Sequence, residues 1–187
     1  MIPATAFVLM GGKSERFGSP KWEMDINGKT VLDRIWDSCT KFENRFVIGK
    51  NKPSGLSKPF IQDELKINAP INGLYTALKN STTDWVFLIS CDLPLVESDI
   101  FLKLWESRLE KCETVIPVSD GKIQVTCGIY HKRILPKMEC EIQKENYSLI
   151  KLLEKLKTQF VKFGNDNRFW NMNTEKDYEE ILNLVSK

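Results

Sequence analysis

Histidine is almost missing from this sequence, which has only His131 among 187 residues. Acid–base chemistry built on imidazole would rest on that one ring, and neither a second histidine nor a local acid pair accompanies it. His131 therefore reads as a surface or capping side chain. Zinc is poorly supplied as well. Five cysteines, an odd number, stand singly at Cys39, Cys91, Cys112, Cys127 and Cys140 with no C-x-x-C pair, and they read as reduced, mostly buried thiols. Basic excess is absent, since 27 Lys and Arg meet 25 Asp and Glu for a net charge of +2. Outside the first loop the lysines alternate with acids, which argues against a nucleic-acid partner. A long apolar run is missing too: Ile2 to Met10 is too short to span a membrane and has no basic n-region or A-x-A site. No membrane partner is expected, and the cytosol is the expected compartment. No repeat, low-complexity tract or linker divides the chain. With 42% hydrophobic and 28% charged residues, one globular domain over 1–187 is expected.

The opening stretch organises what is present. The apolar run Ala4 to Met10 reads as a buried strand, stopped by Gly11 and Gly12, which permit a sharp bend and let backbone N–H groups approach a ligand. Lys13, Arg16 and Lys21 follow, with Gly18 supplying a second bend, and exposed amides plus cations suit a polyphosphate. The pattern is not a P-loop, because Gly12-Lys13-Ser14 lacks the earlier glycine; nor does it form G-x-G-x-x-G.

Further along, Trp22 to Ile26 reads as extended up to the Asn27-Gly28 turn, and a helix capped by Thr30 carries Val31, Leu32, Ile35, Trp36 and Cys39 on one face. Arg45 to Gly49 and Phe60 to Gln62 read as strands, the latter ending at Asp63. Pro70 and Gly73 make a tight helix entry whose first amides would face a nucleotide. Asp84 to Ser90 is the clearest buried strand and runs into Cys91-Asp92-Leu93-Pro94, where Asp92 is placed to hold Mg²⁺. A helix over Glu97 to Glu110, a strand at Thr114 to Val118 and an Asp120-Gly121 hairpin into Ile123 to Tyr130 come next. Pro136 interrupts the following stretch. Ser148 to Lys157 then reads as a short helix and Gln159 to Phe163 as a strand, before a last helix capped by Thr174 with Asp177. This alternation predicts an α/β fold with a mostly parallel sheet, an antiparallel portion, and ligands at the carboxyl ends of the strands.

Leu9-x-Gly11-Gly12-x-Ser14-x-Arg16-x-Gly18-x-x-Lys21 resembles the signature of the MobA-like nucleotidyltransferases, and within them the chain is most similar to the molybdenum cofactor guanylyltransferases. Cys91-Asp92-x-Pro94, Pro70 to Gly73 and Asn171-x-Asn173-Thr174 support the resemblance along the whole chain. It implies a single Rossmann-like, three-layer α/β/α domain of the nucleotide-diphospho-sugar transferase type. It also implies transfer of GMP from GTP to the phosphate of molybdopterin, with release of pyrophosphate and formation of molybdopterin guanine dinucleotide. Arg16, Lys21 and Asp92 would be catalytic, with Asp92 on Mg²⁺. Leu9, Gly11, Gly12, Lys13, Ser14, Lys21, Asp63, Pro70, Gly73 and Asp92 would bind nucleotide, and Asn171 and Asn173 would lie near the phosphates and metal. The strand after Asp120-Gly121 would pass the acceptor site. Molybdoenzyme apoproteins or their chaperones would be downstream partners. Departures are Ala69 for a glycine, Val125 for a proline, Met10 for a small residue, and Pro20 where the guanylyl enzymes often have Asp. The alternatives are a related enzyme using CTP or a sugar- or alcohol-phosphate acceptor, and a molybdopterin carrier without catalysis.

Overall fold

The structure is a computed structural model and describes residues 1–10 and 20–186. Strand β1 (Ile2–Leu9) lies inside the sheet, and its neighbours on either side, β4 (Phe42–Gly49) and β6 (Trp85–Ser90), both run parallel to it. Parallel neighbours need crossovers over the faces of the sheet, and those crossovers bury β1 twice. Its alternate residues divide between two cores: Ala4, Ala6 and Val8 point to one face, Phe7 and Leu9 to the other. β6 divides likewise, Phe87 and Ile89 against Val86 and Leu88, which is why both strands read as near-continuous apolar runs.

The first core is covered by α1 (Val31–Ser38), α3 (Ser98–Glu106) and α6 (Glu175–Val185). There Phe101 of α3 meets Phe87 with ring centroids 4.3 Å apart, and Phe42 stacks on Phe87 at 5.0 Å. The second core is covered by α2 (Pro70–Asn80), α4 (Leu135–Gln143) and α5 (Leu149–Leu153). The layers are therefore α/β/α, as expected.

The other strands are β5 (Phe60–Gln62), β7 (Thr114–Ser119), β8 (Lys122–Ile123), β9 (Cys127–His131) and β10 (Thr158–Gly164). The sheet order is β10-β7-β9-β6-β1-β4-β5, with β8 paired to β7. β9 runs antiparallel to both β6 and β7, and β10 returns parallel to β7. A separate two-strand hairpin, β2 (Asp25–Ile26) with β3 (Lys29–Thr30), closes on Asn27 and Gly28 at φ 52° and 80°. Asp120 and Gly121, at φ 51° and 70°, turn β7 into β8, the geometry that Asn-Gly and Asp-Gly pairs favour.

Several boundaries differ from expectation. Lys21–Glu23 form a 3₁₀ turn, so the extended segment expected from Trp22 is only the two residues of β2. α3 stops at Glu106 rather than Glu110, where Ser107 caps it and Leu109 is exposed. The strand after Asp120-Gly121 breaks at residues 124–126. Pro136 does not interrupt a helix but stands in the first turn of α4, where its missing N–H would have had no partner anyway. The caps by Thr30, Ser148 and the Thr174–Asp177 box are all present.

Gly128 lies where β9 packs closely against Val115 and Ile116 of β7. A Cβ there would land on Ile116 Cδ1 and come within 3.2 Å of the Val115 carbonyl oxygen. Gly128→Ala is expected to destabilise the fold by about 1–3 kcal/mol through overpacking. The check is a lowered denaturant midpoint with an unchanged slope.

Candidate active site at the strand ends

Parallel strands finish at the same edge of a sheet, and here the pairing continues one residue past each of them. Met10 N–H donates to Ile48 O at 2.9 Å, Asp63 N–H to Gly49 O at 3.0 Å, and Cys91 N–H to Leu9 O at 3.1 Å. The chain segments then diverge around a cleft of about 500 Å³ lined by Leu9, Met10, Trp22, Asp63, Pro70, Gly73 and Asp92 among others. That volume suits a nucleotide-sized ligand. The first turn of α2 opens on the cleft: Pro70 is at its start and Ala69 offers no side-chain cap.

Gly73 has a packing task in addition to lining the cleft. A Cβ on it would sit 2.5 Å from Leu9 Cδ2, so the missing side chain lets α2 lie against the end of β1. Buried Asn72 and Thr76, to which no role was given from sequence, hold the segment along the cleft's far wall. Asn72 accepts from Leu65 N–H at 3.0 Å and donates to Leu65 O and Ile67 O at 2.7 and 3.0 Å; Thr76 Oγ1 accepts from Glu64 N–H at 3.0 Å. At one end of this segment, burial raises the Asp63 carboxyl above its ordinary value, with Lys50 partly opposing the rise.

Lys21 and Asp92 meet across the cleft's inner edge. Lys21 Nζ lies 3.2 Å from Asp92 Oδ1 and 2.9 Å from Asn173 Oδ1, joining residues far apart in the chain. Asp92 is set by a turn in which its N–H bonds Ser90 Oγ at 3.3 Å and Leu93 N–H bonds Ser90 O at 3.2 Å. Its carbonyl accepts from Met172 N–H at 2.8 Å, which brings Asn173 alongside. Asn173 is oriented in turn by Asp177, whose carboxylate accepts its N–H at 2.8 Å and that of Thr174 at 2.7 Å. Burial would raise the Asp177 carboxyl, but these amides and the Thr174 hydroxyl outweigh it and hold the group below the usual carboxylate range.

A second cavity, of about 310 Å³, lies at the ends of β7 and β10 and is lined by Asp120, Lys122, Trp170, Asn171, Asn173 and Asp177 among others. Asp92 faces the first cavity, Asn173 faces the second, and Lys21 bonds both residues.

The model of the MobA-like NTP transferase domain matches residues 6–159. The chain belongs to this family. This transferase is 35% identical over 183 residues to the "Probable molybdenum cofactor guanylyltransferase" of Aquifex aeolicus, an alignment covering 95% of the chain and 90% of that protein. To the namesake of Geobacillus sp. it is 28% identical, over 94% of the chain and 96% of the relative. Its fold superposes with a TM-score of 0.83 on the crystal structure of molybdopterin-guanine dinucleotide biosynthesis protein A from Archaeoglobus fulgidus, at 22% identity and 97% and 98% coverage.

Of the transferase's expected site residues, Leu9, Asp63, Pro70, Gly73 and Asp92 line the first cavity, Lys21 bonds Asp92, and Asn171 and Asn173 line the second. Gly11, Gly12, Lys13, Ser14 and Arg16 lie outside the described residues. His131 accepts the Arg133 N–H through Nδ1 at 3.1 Å and meets Trp85 edge-on at 4.8 Å, the capping role expected of it. All five thiols are free; Cys140 is exposed, while burial pushes the Cys39 thiol up to about 12. Among the described residues no helix is long and apolar enough to cross a membrane.

Burial of Asp63 makes stability depend on pH. Its folded-state pKa lies above its unfolded value, so ionised Asp63 is held at a penalty, and stability falls as pH rises through the interval between the two. Asp63→Asn is expected to raise the unfolding free energy at pH 7 and to lose that advantage as pH drops below the ordinary carboxylate range. Denaturant midpoints of both proteins measured across that interval check it.

Proposed function

We propose that this transferase moves GMP from GTP to the terminal phosphate of molybdopterin, forming molybdopterin guanine dinucleotide and releasing pyrophosphate, as one nucleotidyltransferase domain acting in the cytoplasm. The observation that carries the reading is the Lys21–Asp92–Asn173 junction, which stands between two cavities. A transferase joining two phosphate-bearing substrates needs such a partition, with charge neutralisation at the seam. The names of the relatives support the donor and the acceptor.

The first cavity would take the nucleoside, with Asp63 and the first turn of α2 along its wall. Gly11, Gly12, Lys13 and Ser14 would carry the β- and γ-phosphates, and Arg16 and Lys21 would screen the α-phosphate. The acceptor would enter through the second cavity past Asn171. Its phosphate oxygen attacks the α-phosphorus; the bond from that phosphorus to the bridging oxygen breaks, and the electron pair leaves with pyrophosphate. A phosphate nucleophile is already ionised at neutral pH, so no general base is required, consistent with the remote position of His131. Alignment and charge neutralisation carry the catalysis instead.

Mg²⁺ fits this seam as a shared ion. Asp92 Oδ1 and Asn173 Oδ1 already converge on one cation, the Lys21 ammonium, and one carboxylate with one neutral oxygen suits a Mg²⁺ that shares phosphate oxygens and water. Among the described residues no group of three or more His, Cys, Asp or Glu is poised to hold a metal ion, so the triphosphate would complete the ligand set. Bound there, the ion would neutralise charge on the phosphates during transfer.

Incorporation of label from α-³²P-GTP into molybdopterin, with CTP and ATP run in parallel, tests the proposal. GTP-selective, Mg²⁺-dependent product formation is the expected result, and Asp92→Ala should lose about 10²-fold or more in kcat while unfolding at the same temperature. A CTP preference would reassign the donor. Acceptor binding without nucleotide turnover would turn the reading toward a carrier.

A further inference from the structure

Arg168 lines neither cavity, yet it joins the two chain segments that furnish the seam. It stands in the turn Asn167–Phe169, between Asp166 and the Asn171–Asn173 stretch. Its Nε and Nη2 hold the Asp166 carboxylate at 3.0 and 2.7 Å, while Nη1 reaches Asp99 at 2.6 Å in the first turn of α3, with Glu97 at 3.9 Å. Only six residues separate Asp92 from Asp99, and only four separate Arg168 from Asn173. One guanidinium thus clamps the segment leading to Asn173 onto the segment leaving Asp92.

The clamp acts alongside a hydrophobic anchor. Phe169 and Met172 are buried in the first core, and Ser119 Oγ bonds Asp166 N–H at 3.2 Å. These contacts anchor the segment without involving the guanidinium. Arg168 and Asp99 are partly exposed, at 30% and 62%, and pairs of that kind contribute little to global stability. Without the positive charge, however, Asp166, Asp99 and Glu97 would be left around one unneutralised point and repel. The strain would fall where the Met172 N–H meets the Asp92 carbonyl and where Asn173 and Asp92 converge on Lys21.

We propose that Arg168 is a positioning residue for the transfer step: by neutralising Asp166 and Asp99 together it sets the separation of Asn173 and Asp92 at which both face the same cation. The proposal rests on the nucleotidyl-transfer reading for its kinetic consequence but not for its structural one.

Arg168→Gln, Asp99→Asn and the double variant test it with GTP, molybdopterin and Mg²⁺. Arg168→Gln should lower kcat about tenfold with the KM for GTP within about twofold of wild type, because misalignment costs turnover rather than nucleotide affinity. Asp99→Asn should act in the same direction, and the double variant should lose no more than Arg168→Gln alone, since both remove one interaction. Amide hydrogen exchange across residues 165–173 should quicken in both single variants while β1 and β6 stay protected. An unchanged kcat in both single variants, losses that multiply in the double, or unaltered exchange at 165–173 would overturn the proposal. If the wild type makes no product, the transfer reading fails and exchange alone decides the clamp. If Arg168→Gln does not fold, Asp99→Asn at its exposed position carries the same test.

Discussion

A strand buried on both faces can put polar groups within reach of a ligand only where it ends. β1 is such a strand, flanked by parallel β4 and β6 and covered by a helical layer on each side. The consequence is directional. Its carboxyl end lies level with those of its neighbours, so Leu9, Gly49 and Ser90 finish on one edge, and the residues that follow them surround one cleft. Gly73 shows how closely this edge is built, because α2 approaches Leu9 to a distance that leaves no room for a methyl group. The site is therefore a by-product of how the sheet is covered, and its chemistry comes from the few side chains placed at that edge.

Charge then partitions the edge. Lys21, Asp92 and Asn173 come from the beginning, middle and end of the chain, and their contact separates an apolar-walled cleft from a polar cavity. The supporting bonds run outward from that contact: Ser90 sets Asp92, Asp177 sets Asn173, and the Asp92 carbonyl receives the Met172 amide. Such nested support is what keeps two oxygens aimed at one cation before any substrate arrives. Arg168 extends the same logic one layer further, joining Asp166 at the wall of the second cavity to Asp99, which lines neither cavity.

Much of this was legible in the sequence because it is local. The apolar runs of β1 and β6, the Asn27-Gly28 and Asp120-Gly121 turns, and the Thr174–Asp177 box each depend on residues within a few positions of one another. Asp92 at the end of a buried strand followed from the same short-range reasoning. Other features depend on partners that the chain order conceals. Pro136 looks like a breaker until α4 is seen to begin beside it. Asn72 looks like a helix residue of no special use, although its amide spans back to Leu65 and Ile67. The grip of Arg168 on Asp99 joins positions 69 apart, and no periodicity announces it.

The role proposed for Asp92 is to share a cation with bound nucleotide. Isothermal titration of GTP into wild type and Asp92→Ala, each with and without Mg²⁺, decides whether Asp92 has that role. Mg²⁺ is expected to tighten GTP binding to the wild type, and Asp92→Ala to lose that gain while still binding the nucleotide. An equal Mg²⁺ gain in both proteins would contradict it.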